Sequence, residues 1–145
     1  MIDTKLTHQA MKLAYKAHEG QYDESGVAYI FHPFHVAEQM DDEISVCAAL
    51  LHDILEDTDV TLEMLEEEFP REVTDAVVLL THQHGMDYEE YLRKIKENPI
   101  ARKVKIADVH HNAEESRILL AEVPEARKNH WRKKYQKALA ILENE

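Results

Sequence analysis

Apolar positions return every three or four residues along most of this chain, the signature of amphipathic helices. Leu6, Ala10, Leu13, Ala14 and Ala17 keep that spacing over residues 4–18, and Gly20 follows as a stop. Pro33 suits a first helical position, so "PFHVAEQM" starts a second helix. A third runs from about Ile44 to Asp57, a fourth from Thr61 to near Phe69, and a fifth over "REVTDAVVLLTH". "MDYEEYLRKIKEN" is a sixth, and "PIARKVKIADVHHNAEES", again with proline in front, a seventh. The last spans roughly Ala126 to Glu143, with Trp131 and Tyr135 expected in the core. "GVAYIF" is the only strand-like run, and it is short. The pattern predicts an all-α fold: one domain over residues 1–145, a compact bundle of six to eight helices.

Composition narrows the picture without changing it. The chain has 145 residues, 44% hydrophobic and 32% charged, which is the balance of a globular domain with a real core. The N-terminal "MIDTKLTHQAM" lacks the apolar centre of a signal peptide, and no apolar run approaches membrane-spanning length. Cys47, the only cysteine, sits among Val46, Ala48 and Ala49 and reads as a small core residue. A reducing cytoplasm fits, with no membrane partner. A net charge of -12 argues against nucleic-acid binding, which depends on neutralising phosphates. The three glycines build neither a P-loop nor a dinucleotide fingerprint.

The third helix carries an anomaly. In "AALLHDILEDTD", His52, Asp53, Glu56 and Asp57 interrupt a run of Ala, Leu and Ile. On a continuous helix they fall within an arc of about 140°. The remaining circle is Cys47, Ala48, Leu50, Leu51, Ile54 and Leu55, so the helix is largely buried. Charges in such a place must be paired or hold a metal. A half-buried helix with one solvated face is the alternative.

A second anomaly lies after Pro99. Ile100, Ala101, Val104 and Ala107 share a face, and Asp108 projects from its middle, with Asn112 one turn on. A metal is one partner for that carboxylate, and a core salt bridge to Lys105 is the other. His32 is a third candidate. With His52, Asp53 and Asp108 it makes two imidazoles and two carboxylates from three segments. Mixed nitrogen and oxygen ligands suit Mn²⁺, Fe²⁺ or Zn²⁺.

The pattern "H…HD…D" in an all-helical chain resembles the HD-domain metal-dependent phosphohydrolases. The similarity is closer to the hydrolase half of RelA/SpoT proteins and to small stand-alone alarmone hydrolases. It is carried by "AHEGQ…AYIFHPFHVAEQM", "AALLHDILEDTDVTLEMLEEEFP" and "NPIARKVKIADVHHN", in order over residues 10–118. Short bacterial HD proteins described as GTP-pyrophosphokinase-like share the last motif. The resemblance implies that His32, His52, Asp53 and Asp108 hold a divalent metal, Mn²⁺ first. It implies that Glu56 and Asp57 act on the attacking water and that Asn112 contacts a nucleotide. Tyr29 and His18 match family positions at the pocket wall. The implied reaction releases pyrophosphate from the 3′ position of guanosine tetraphosphate.

The chain departs from the family at three points. An Arg-Lys pair that grips the nucleotide is replaced by Asp23 and Glu24, the Arg after the ligand Asp by Val109, and a Thr further on by Glu115. Like charges repel a bound polyphosphate. Phosphate contacts then fall to the basic run, of which Lys105 and Arg102 are the candidates kept. His35 is expected to pack locally, His82 and His84 to sit in a polar loop, and His111 to lie behind the ligands. Two functions follow: a hydrolase of a nucleotide phosphate or pyrophosphate, or a metal-containing module that senses a nucleotide without turnover.

Overall fold

The computed structural model describes residues 1–144, which form ten helical segments and no strand beyond one antiparallel bridge between Tyr22 and Ala28. They are α1 (Lys5–Ala17), α2 (Phe31–Glu38), α3 (Glu43–Leu51), α4 (Ile54–Asp57), α5 (Leu62–Glu68), α6 (Arg71–Leu80), α7 (Tyr88–Lys96), α8 (Pro99–Asn112), α9 (Glu115–Leu120) and α10 (Glu125–Glu143). The all-α expectation holds; the segment number exceeds the expected six to eight for two local reasons.

The first is a break inside the expected third helix. In an unbroken helix Ala49 O would accept from the Asp53 N–H. Here His52 takes that carbonyl, through its backbone N–H at 3.4 Å and its Nδ1 at 2.6 Å. A side chain competing for a helical carbonyl tightens or ends the turn. Asp53 adopts φ -103 and ψ 2, off the helical region, and α4 begins after it. The arc drawn for a continuous helix therefore stops at Leu51. The second reason is that α8 ends at Asn112, and "ESRILL" forms its own short helix, α9.

Helix starts follow local chemistry. Thr4 and Thr7 cap α1 reciprocally, Asp42 accepts the Ser45 N–H ahead of α3, and Asn98 caps α8 in front of Pro99. α2 starts at Phe31, two residues before the expected Pro33, because Ile30 already has helical backbone angles.

α3 is the axis of the molecule. Every residue from Ser45 to Leu51 is buried, and α1, α2, α6 and α8 pack around it. Each buried Leu or Val there contributes about 1.5–3 kcal/mol of burial. α8 crosses α2, α3, α6, α7 and α10. The ends of α2, α3 and α8 meet at the site described next.

Candidate metal centre

Four side chains from three places in the fold converge at one point. His32 comes from α2, His52 and Asp53 from the break between α3 and α4, and Asp108 from α8. His32 Nε2 lies 2.8 Å from Asp108 Oδ1. His52 Nε2 lies 3.0 Å from Asp53 Oδ2 and 3.6 Å from Asp108 Oδ1. Ligand atoms of His32, His52 and Asp53 all lie within 4.8 Å of one another. His32, His52 and Asp108 are buried, and Asp53 is half-buried.

The donor chemistry fits a divalent cation. His52 Nδ1 donates to Ala49 O, which fixes the proton on that nitrogen and leaves Nε2 as the nitrogen that can take a second proton or a cation. Nε2 is buried, has no hydrogen-bond partner, and faces two carboxylates. Two anions facing that nitrogen demand a positive charge there, a proton in the metal-free protein or a cation in its place. Burial alone would lower the His52 pKa, yet Asp53 and Asp108 outweigh it and hold it well above the usual histidine value. Burial opposes ionisation of Asp53 too, but the adjacent His52 brings it down to about 2. Asp108 is held well below the carboxylate range, against burial, by Lys105 and then by His32 and His52.

An outer ring of side chains orients these four. Tyr29 donates its hydroxyl to Asp53 Oδ2. Asn112 donates to Asp108 Oδ1 at 3.2 Å, and Arg117 donates to Asn112 Oδ1 and to His111 O. His32 Nδ1 lies 2.7 Å from His111 Nδ1, with the two rings nearly parallel, and His35 also stacks on His111. Burial and Arg117 lower His111 to about 3, so it stays neutral behind His32. His18 lies on the opposite side, 5.0 Å from the Tyr29 ring. Its Nδ1 pairs with Gln21 Oε1, burial lowers its pKa, and its Nε2 is buried without a partner.

Glu56 and Asp57 follow on α4 and part company. Glu56 Oε1 accepts the His82 backbone N–H at 2.8 Å, and Glu56 faces a cavity of about 160 Å³. That cavity also touches Asp53, Asp108, Asn112 and Lys105. Asp57 is pushed up to about 6 by burial first, then by the charges of Asp53 and Glu56.

Lys105 lines the cavity and also pairs with Asp108 Oδ2 at 2.9 Å under the Tyr91 ring, so the core ion pair expected as one partner of Asp108 is present. Two expectations need correction. Arg102 donates to Leu142 O and ties α8 to α10. Trp131 is half-buried and walls a cavity rather than filling the core, whereas Tyr135 packs against the core while lining that cavity. Lys134, unnoticed in the sequence, lines the cavity beside Glu56. It sits in a run of three basic residues, Arg132 to Lys134, within "RKNHWRKKYQK", and only the register of α10 singles it out. Asp23 and Glu24 are not bare charges: Asp23 Oδ2 lies 3.6 Å from Arg117 and Glu24 Oε1 3.4 Å from Arg127.

Comparison with known proteins places this geometry. A family model described as HD domain matches residues 10–127. A guanosine-3′,5′-bis(diphosphate) 3′-pyrophosphohydrolase of Borreliella burgdorferi is 36% identical over 114 residues, covering 75% of this chain and 17% of that protein. A probable GTP pyrophosphokinase of Mycobacterium leprae is 35% identical over 130 residues, covering 81% of this chain and 16% of that protein. The chain thus spans about a sixth of the length of these relatives. A solved chain described as a metazoan ortholog of SpoT that hydrolyzes ppGpp superposes with a TM-score of 0.82 at 22% identity, over 99% of this chain and 89% of that one. This last likeness establishes the shared fold. No helix among the described residues is long and apolar enough to cross a membrane.

Proposed function

The chain belongs to the HD domain family, and from that premise we propose that it is a divalent-metal phosphohydrolase that releases pyrophosphate from the 3′ position of guanosine 3′,5′-bis(diphosphate). The observation that carries the reading is the convergence of His32, His52, Asp53 and Asp108 beside a cavity faced by Glu56. The names of the relatives supply the substrate. We read His32, His52, Asp53 and Asp108 as the metal ligands, with Mn²⁺ the expected ion and Fe²⁺ or Zn²⁺ as alternatives, and the cytoplasm as the compartment.

A bound divalent cation would supply Lewis acidity toward water and a phosphoryl oxygen. The chain's own residues do the rest. Water adds to the phosphorus bonded to O3′, and the O3′–P bond breaks. One proton leaves the water and one reaches O3′. Asp57, with its pKa raised to about 6, is the carboxylate suited to hold and return a proton near neutral pH. Glu56, fixed by the His82 N–H, orients the water from the cavity side. Asn112 positions substrate while holding Asp108 in place. Tyr29 holds Asp53 and His18 backs Tyr29, so both walls support the ligands.

The test is hydrolysis with Mn²⁺ of guanosine tetraphosphate, its adenosine and pyrimidine counterparts, NADPH and plain nucleoside phosphates. Pyrophosphate from guanosine tetraphosphate supports the reading. Release from other members alone keeps the chemistry and moves the substrate. The replacement of an Arg-Lys pair by Asp23 and Glu24 favours one rival, a nucleotide sensor, and silence across the panel with metal bound would select it.

A further inference from the structure

A second chamber, of about 130 Å³, opens beside the metal-side cavity and shares Asn112 and Tyr135 with it. A nucleotide with its reacting phosphate at the metal centre would enter this chamber with its other end past Asn112 and Tyr135, which line both. The walls are of two kinds. Trp131 and Tyr135 offer aromatic surface, with the guanidinium of Arg127 5.3 Å from the centre of the Trp131 ring. Asp23 and Glu24 offer acceptors.

The acceptors are held but not used up. Asp23 Oδ1 accepts the backbone N–H groups of Ser25 at 2.8 Å and Val27 at 3.0 Å, which pins the side chain. Its Oδ2 is 3.6 Å from Arg117, an ion-pair distance too long for a hydrogen bond, so lone pairs remain. Glu24 Oε1 is 3.4 Å from Arg127 at the rim. The two arginines offset the negative charge that would otherwise repel a phosphorylated ligand, and the carboxylates keep their accepting capacity.

We propose that Asp23, helped by Glu24, selects the base of the substrate, accepting hydrogen bonds from the adjacent N1–H and N2–H groups of a guanine stacked against Trp131. This rests on the nucleotide reading above and adds what distinguishes one base from another. A carboxylate is acceptor-only, and its bonds from N–H donors are charge-assisted. Guanine alone among the common bases turns two neighbouring donors outward on that edge. Adenine and cytosine set a ring-nitrogen lone pair there, and uracil flanks its single N–H with carbonyl oxygens. An acceptor buried against another acceptor is left unpaired and costs affinity.

The experiment measures binding of GDP, IDP and ADP to the Mn²⁺-loaded protein by calorimetry. GDP should bind about tenfold or more tighter than ADP, with IDP, which lacks the 2-amino group, between them. Asp23→Asn is a clean variant: its Oδ1 still accepts the Ser25 and Val27 N–H groups, and only the atom facing the base becomes a donor. It should bring the GDP-to-ADP ratio to within about threefold, with Glu24→Gln having a smaller effect. Equal binding of GDP and ADP by the wild type overturns the proposal, as does a ratio that survives both variants. A guanine preference without pyrophosphate release from any substrate would overturn only the hydrolase reading. Release with no base preference would overturn only this one.

Discussion

Lys105 Nζ lies 2.9 Å from Asp108 Oδ2, one turn earlier on the same helix, and neither side chain is more than 14% exposed. The pair explains how α8 carries a carboxylate into an apolar face. Lys105 neutralises one oxygen of Asp108 and leaves the other to face His32 and His52. Asp108→Ala removes the partner and strands a buried ammonium, which typically costs about 3–5 kcal/mol. It should also empty the metal centre, read by elemental analysis. Adding Lys105→Met to that variant should recover much of the stability and none of the metal. Full metal content in Asp108→Ala would remove Asp108 from the ligand set.

Glu56 is separable from metal binding. Its Oε1 accepts from the His82 backbone, and glutamine presents the same acceptor, so Glu56→Gln should keep the loop in place. Metal content is expected to stay at the wild-type level while kcat falls by about 10²–10⁴, the usual worth of a positioned acid–base group. Undiminished turnover would show that Glu56 has no part in handling the water.

Asp57 sets a pH dependence of known sign. In the folded protein it keeps its proton up to about pH 6, while an unfolded Asp releases it near 4. Asp57's own contribution to the stability of the metal-free native state is therefore lost as pH rises from about 4 to 6, while His111, held at about 3, contributes in the opposite sense over the same range. Asp57→Asn should remove the Asp57 contribution, so that stability rises more steeply with pH between about 4 and 6 than in the wild type. For catalysis the deprotonated form is the base, so kcat/KM should rise with pH through an inflection at or below 6, since a bound cation lowers it further. Thermal melts of the metal-free pair and pH–rate profiles of the wild type check both statements. A wild-type rate with no inflection between about pH 4 and 6.5 would reassign the base.

The sequence exposed the helices and three of the converging side chains, His52, Asp53 and Asp108, for the same reason: each is a violation or an observance of helical periodicity; His32 stood out only as the complement of that set. Asp108 stood out because an apolar face surrounded it, and His52-Asp53 because the flanking run is Ala and Leu. The break at His52 escaped notice because periodicity assumes an unbroken helix, while the break comes from one imidazole taking the Ala49 carbonyl. The pairing of Lys105 with Asp108 was open to sequence reasoning as an i, i+3 contact, yet its burial depends on Tyr91 from α7. The ion pairs of Asp23 and Glu24 join positions 94 and 103 residues apart, beyond any local pattern.

Lys134 reaches the metal-side cavity from α10, with its ammonium 4.9 Å from the centre of the Tyr88 ring. Burial, and then Lys105, lower its pKa, so an anion arriving in the cavity gains a partner that the protein itself leaves underused. No ion pair is formed by Lys134 among the described residues. A phosphate oxygen would supply one. Lys134→Ala should raise KM for a polyphosphate substrate by about tenfold, the worth of one charge-assisted hydrogen bond, with kcat changed much less. Lys134→Arg should restore most of the affinity. Because Lys134 forms no ion pair that holds the fold among the described residues, the melting temperature should stay close to that of the wild type. An unchanged KM in Lys134→Ala would place the phosphate contacts elsewhere in the cavity.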